Sequence, residues 1–163
     1  MAKSNALKIT AKPGVQEMIV TRVVDAPRDL VFKAYIDPIM IPEWWGPARL
    51  ATTVEKMDAR PGGLWKVVQR DTDGKVYSFH GVYHAVEPSE QLVSTFEFED
   101  KPGHVALDIA TFEDLNGKTK LTQKTVFQTV ADRDEMMKGD MESGMVEAYE
   151  RLDALLAKEL VNG

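Results

Sequence analysis

The period of the apolar positions changes twice along this chain. Residues 18–24 are apolar and largely β-branched and predict a first strand. Asp25-Ala26-Pro27 then opens a helix, with Pro27 pre-set for its first turn and Leu30, Val31, Ala34 and Tyr35 on its buried face. Asp37-Pro38 stops it. A second short helical segment, broken or bounded by Pro42, ends at Trp44-Trp45-Gly46-Pro47. From Ala51 the period becomes two. Strands are predicted over 51–57, 64–70, 75–86, 91–99, 104–113 and 118–127. Short turns join them, among them Pro61-Gly62-Gly63, Asp73-Gly74 and Asn116-Gly117. Such connections make an antiparallel meander.

The last stretch returns to a helical period. Met137, Met141, Gly144, Met145, Ala148, Leu152, Leu155 and Leu156 recur at steps of three and four, which is one apolar stripe. Asp132 is the expected N-cap, with Glu135 three residues on as in a capping box. A single helix over 132–160 would be ~43 Å long. Its upper half is methionine and glycine, its lower half leucine and alanine. Residues 1–16 are polar and carry Pro13-Gly14, so they read as an N-terminal tail with room for a short strand. Residues 17–163 read as a single domain. The expected fold is α+β: a curved seven-stranded antiparallel sheet wrapped around a long C-terminal helix, with two short helices between the first two strands. A curved sheet gripping one helix leaves space between them.

Composition narrows the functional classes. The chain has 163 residues, 44% apolar and 28% charged, which suits one globular domain. The net charge of −6 argues against nonspecific nucleic-acid binding, which needs a basic surface. With no cysteine there is no disulfide, thiolate metal site or cysteine nucleophile. The first residues lack an apolar signal region, and no stretch approaches a membrane span, so a cytoplasmic protein is expected.

Several motifs together resemble one family. VTRVVDAPRDLVFKAYIDP (20–38), EWWGP (43–47), the PGGLW run (61–65) within residues 58–100, the turn at Asn116-Gly117-Lys118-Thr119, and the helix from Gly144 to Leu156 are similar to the activator-of-heat-shock-ATPase-like family. That family belongs to the START-like (SRPBCC) superfamily with the helix-grip fold. The resemblance covers nearly the whole chain from Glu17. It implies a START-like domain with a cavity, whose superfamily relatives hold lipids, sterols, hormones or polyketides and in a few cases catalyse cyclisation or hydrolysis. It implies no cofactor. Co-chaperone members carry a further N-terminal domain for which this chain has no room. Pro42 departs from the family pattern, and so does Met145, where tryptophan is common.

The candidate ligand-binding residues are Trp45, Trp65, Val67, Gln69, Phe79, Tyr83, Phe96, Met137, Met141, Gly144 and Met145. Methionines adapt to varied apolar ligands, and large aromatics suit the walls of ligand sites. One of Trp44 and Trp45 is expected to pack and the other to reach the cavity mouth. If Trp65 faces inward, Gln69 becomes a buried amide in need of a partner, which a ligand could supply. Phe79, Gly81 and Tyr83 share one strand parity and Ser78, His80, Val82 and His84 the other; either set could face inward, and a bulge could switch them. His80 and His84 lie ~13 Å apart on a strand, too far for one metal, and no metal site is expected.

No catalytic residue is assigned. The nucleophile-elbow, phosphate-loop and zinc-protease motifs are absent. An acid–base pair inside the cavity would have to come from His80, Glu97, Asp108, Gln123 or Asp140. The expected function is binding of a small apolar or amphipathic molecule, lipid-like or polyketide-like, by a monomer or homodimer. The alternatives are a cyclase or hydrolase using the same cavity, and a co-chaperone-like protein-interaction module.

Overall fold

The computed structural model of the chain describes residues 7–162. The first residues of the expected tail, 1–6, and Gly163 lie outside the described residues. In chain order the elements are β1 (Lys8–Thr10), β2 (Glu17–Val24), α1 (Arg28–Ile36), α2 (Ile41–Trp44), β3 (Ala51–Met57), β4 (Leu64–Arg70), β5 (Val76–Glu87), β6 (Gln91–Phe98), β7 (Val105–Leu115), β8 (Lys118–Val126), α3 (Val130–Met136) and α4 (Met141–Asn162). The sheet is antiparallel throughout, in the order β1-β2-β8-β7-β6-β5-β4-β3. It has eight strands where seven were expected. The additional strand is β1, which pairs Ile9 with Val20 and so extends the sheet beyond β2.

Strict alternation on β2 buries Met18, Val20, Arg22 and Val24 on one face. That face receives α4 through Tyr149, Leu152, Leu155 and Leu156. Leu152 and Leu156 are 0% and 2% exposed, so this lower half of α4 closes the core. Pro27 stands at the N-cap of α1 in extended conformation. Pro42 falls in the first turn of α2, where its missing N–H costs nothing.

The C-terminal helical stretch is two helices, not one. Thr129, not Asp132, caps the first, and its hydroxyl accepts the Asp132 N–H at 3.0 Å. Asp132 turns its carboxylate to His104 instead. The break falls at Gly139, whose φ is +68°. A left-handed residue ends a helical ladder, and glycine takes that conformation without a Cβ penalty. Apolar spacing runs across this break uninterrupted, which is why the period alone reads as one helix.

Candidate functional site

A cavity of about 400 Å³ lies between the concave face of the sheet, α2 and α4. Its size is within the range of small-molecule sites. Trp45, Trp65, Val67, Tyr83, Phe96, Gly144 and Met145 line it, seven of the sequence candidates. Four others stand apart from the lining. Gln69 is buried, but its amide donates to the Trp45 carbonyl at 3.3 Å and to the Thr52 hydroxyl at 3.4 Å. The protein, not a ligand, supplies its partner. Phe79 sits behind the wall, stacked on Phe96 and Phe98 at 5.3 and 5.1 Å and edge-on to Trp45 at 5.4 Å. Met137 and Met141 pack on the core outside the lining. Met136 lines the cavity in their place, because the break at Gly139 resets the helical phase.

Local sequence explains the aromatic wall. Trp65 faces Gly81 across the β4–β5 pair, and its indole N–H crosses β5 to the Thr95 carbonyl at 3.1 Å. A Cβ on Gly81 would meet that carbonyl at 1.9 Å and the indole nitrogen at 2.5 Å, so the strand passes there only as glycine. Trp44 is buried and donates to the Ala34 carbonyl at 3.0 Å, while Trp45 is half-buried. Both reach the cavity. Gly46 has φ +78°, and the Gln69 amide occupies the place of its missing Cβ. Arg151 of α4 donates to the Gly46 carbonyl at 2.7 Å, and the Ala48 N–H donates to Glu147 at 2.7 Å. These bonds hold the α2 segment against α4 at the edge of the site.

The polar lining comes from a row across the sheet. Tyr83 pairs with Ser94, Ser94 with Asp108, and Asp108 with Thr125. Directly paired residues share a face, and this row faces the helix. A bulge follows at once: Tyr83 opposes Ser94 while Ala85 opposes Val93, which leaves His84 exposed as the extra residue. Phe79, Gly81 and Tyr83 are therefore the inward set up to the bulge, and His80 lies on the outer face.

Asp108 accepts from the Thr125 hydroxyl at 2.7 Å. Burial pushes its carboxyl above the ordinary value, against hydrogen bonds from Thr125 and Gln123 that pull it down. Tyr149 donates to the Gln123 carbonyl oxygen at 3.3 Å. The Arg22 guanidinium lies 4.9 Å from the centre of the Tyr149 ring and pairs with Asp153 at 2.5 Å. Among the described residues the Tyr35 hydroxyl and Arg22 Nε are buried and find no hydrogen-bond partner. Tyr83 is 3% exposed, and burial alone pushes its phenol to about 12. Sequence reasoning named Asp108 and Gln123 only as possible acid–base members and missed Tyr35 and Tyr149. The polar row depends on strand register, for which a single sequence carries no signal.

A second hollow of about 690 Å³ opens beside α3 and shares Phe96 and Met136 with the first. It is the larger, but its charged rim is paired within itself, His104 with Asp132 at 2.9 Å and Lys101 with Glu135 at 3.8 Å. The first cavity holds the enclosed polar atoms and is the candidate site. Among the described residues no group of three or more His, Asp or Glu side chains is placed to hold a metal. No helix among them is long and apolar enough to cross a membrane.

An antiparallel sheet curved around a C-terminal helix is an α+β arrangement that this chain shares with many solved structures. The chain belongs to the family described as "Activator of Hsp90 ATPase homolog 1-like protein", whose profile matches residues 25–157. The helix-grip description holds at the level of that family. Among solved structures, a Rhodobacter sphaeroides protein is 24% identical with a TM-score of 0.86, over 94% of this chain and 99% of that one. Protein Ms6760 from Mycobacterium smegmatis is 23% identical with a TM-score of 0.83, over 93% and 97%. DynU16, from the dynemicin biosynthetic locus, is 20% identical with a TM-score of 0.65, over 87% of this chain and 47% of that one. At these identities the likeness concerns the fold. No curated protein matches.

Proposed function

We propose that the protein binds a small, mainly apolar molecule in the cavity between its sheet and α4, with residues 17–163 acting as one ligand-holding domain. The observation that carries this is the apolar cavity itself. Trp45, Trp65, Phe96 and Met145 wall it, while Tyr83 and Asp108 offer isolated polar atoms. A well-formed apolar pocket with few polar groups is the usual build of a ligand site. Affinity would come from burial of ligand surface, ~25 cal/mol per Å² before the costs of ordering. A structural neighbour, DynU16, comes from the dynemicin biosynthetic locus, a setting consistent with this reading. Native mass spectrometry of the protein with a panel of lipids, aromatics and polyketide-like compounds tests it. A retained one-to-one complex supports the reading; none across the panel, with no change in tryptophan emission, refutes it.

A second reading is favoured by Asp108, whose raised carboxyl faces the cavity beside Gln123 and Tyr149. Buried acids of this kind serve proton transfer. It is distinguished by recovering the bound compound: a chemically altered ligand, with the change lost in Asp108→Asn, supports an enzyme, and an unaltered one supports a binding protein.

A further inference from the structure

The charged lining of the cavity has one sign. It contains the carboxyl of Asp108 and no lysine, arginine or histidine. Two described cations stand behind the lining and neither is part of it: Arg22 lies against the Tyr149 ring and is committed to Asp153, and Arg151 donates its guanidinium to the Gly46 and Pro42 carbonyls at the edge of the site. An anionic head group entering this space would lose its hydration without meeting a counter-charge. An ionised Asp108 would repel it, and a protonated one would offer a single hydrogen bond and no charge. A hydroxyl or amine meets the opposite situation. Asp108 takes hydrogen bonds from Thr125 and Gln123, and a carboxylate with about four lone-pair sites keeps acceptor capacity toward the cavity. Tyr83 lies two strands away on the same row, with its backbone ~10 Å from that of Asp108. Its phenol is enclosed, lines the cavity and is shifted by burial alone, with no hydrogen bond contributing. Between the two, Ser94 adds a third polar side chain to the lining.

We propose that the cavity selects neutral or cationic amphipathic ligands that bring a hydroxyl or amine hydrogen to Asp108, with a second polar atom received by Tyr83, and that it rejects the corresponding carboxylates. Fatty-acid-like anions are thereby excluded from a site whose apolar walls would otherwise suit them. This inference rests on the small-molecule reading of the same cavity.

The test uses four probes with one aromatic body: 2-methylnaphthalene, 2-naphthalenemethanol, 2-(aminomethyl)naphthalene and 2-naphthoate. Their affinities are measured by calorimetry near neutral pH. The alcohol and the amine are expected to bind at least about tenfold more tightly than the carboxylate, the size of one lost charged contact. Asp108→Asn should narrow the alcohol-to-carboxylate ratio to about threefold or less and leave 2-methylnaphthalene unchanged. If the wild-type protein binds carboxylate and alcohol equally, the selectivity is overturned while the small-molecule site stands. If none of the four binds, the small-molecule reading falls and this inference with it. Should Asp108→Asn fail to fold, the wild-type series alone decides.

Discussion

The two faces of the sheet carry similar polar side chains in different states. On the outer face His80 bonds Glu99 at 2.9 Å through Nδ1 and lies 3.3 Å from Glu97 through Nε2, and Lys66 lies 3.4 Å from Glu99. These groups satisfy one another and stand partly in water. On the inner face burial raises both the Tyr83 phenol and the Asp108 carboxyl, and the Tyr35 hydroxyl is buried with no hydrogen-bond partner among the described residues. Enclosed polar groups without protein partners are costly unless something else meets them. The outer cluster needs nothing further and points to no function, whereas the inner row does. Arg22 shows the other inner solution, a buried charge held by Asp153 and the Tyr149 ring.

The largest effect is expected at Arg22. Arg22→Ala leaves Asp153 half-buried without its partner and opens space under Tyr149, so a loss of about 3 kcal/mol is expected in urea unfolding. A loss below ~1 kcal/mol would mean that the inner ion pair behaves like a surface one.

Asp108 and Tyr83 give the next effects, read as pH dependence. Burial raises the Asp108 carboxyl above 3.8, so the folded chain keeps a proton that the unfolded chain releases. Stability should therefore fall as pH rises from 3.8 through the folded value, and Asp108→Asn should flatten that part of the profile. Asp153, also raised by burial, adds a slope of the same sign that the variant leaves in place. Glu99 works in the opposite direction: the His80 hydrogen bond lowers its carboxyl, so its contribution is lost as pH falls. Tyr83 acts at the alkaline end. Its phenol titrates near 12 rather than 10, so stability should fall between those values, and Tyr83→Phe should remove part of the fall. Tyr35 and Tyr149 contribute the same sign.

Near neutral pH the same Tyr83→Phe change is expected to alter stability by less than ~0.5 kcal/mol, since it breaks no internal bond, while weakening a hydroxylated ligand by roughly three- to tenfold. Effects of equal size on both would merge the two faces into one class. The smallest effect is expected outside: His80→Ala should change stability by less than ~0.5 kcal/mol and leave ligand affinity unaltered.

Much of the fold could be read from the chain. Asn116-Gly117 and Asp73-Gly74 mark real turns, and period-two segments became strands in the expected order. The aromatic and small residues of the wall, Trp45, Trp65 and Gly144, were legible because large aromatics and a helical glycine have few other uses together. Gly139 was not legible as a break, because apolar spacing continues across it, and the phase reset moved Met136 into the place expected for Met137. The row Tyr83–Ser94–Asp108 was hidden for a different reason. Period two assigns alternate residues to faces within one strand, but the register between strands and the bulge after Tyr83 decide which side chains meet. Gln69 looked like a ligand group because its partner, the Trp45 carbonyl, belongs to a turn distant in sequence.

Gly144 gives the most direct test of whether the cavity is a ligand site. It lines the space, and a Cβ built on it meets nothing within 4 Å. Gly144→Leu should therefore fill the cavity and also favour the helix, raising stability by ~1 kcal/mol from propensity alone. Calorimetric titration of the wild type and this variant with 2-naphthalenemethanol separates binding from folding. A saturable one-to-one isotherm in the wild type, weakened at least about tenfold in a variant that melts no lower, is the predicted result. Equal binding by the two proteins would contradict the account, because the ligand would then lie somewhere other than between the sheet and α4.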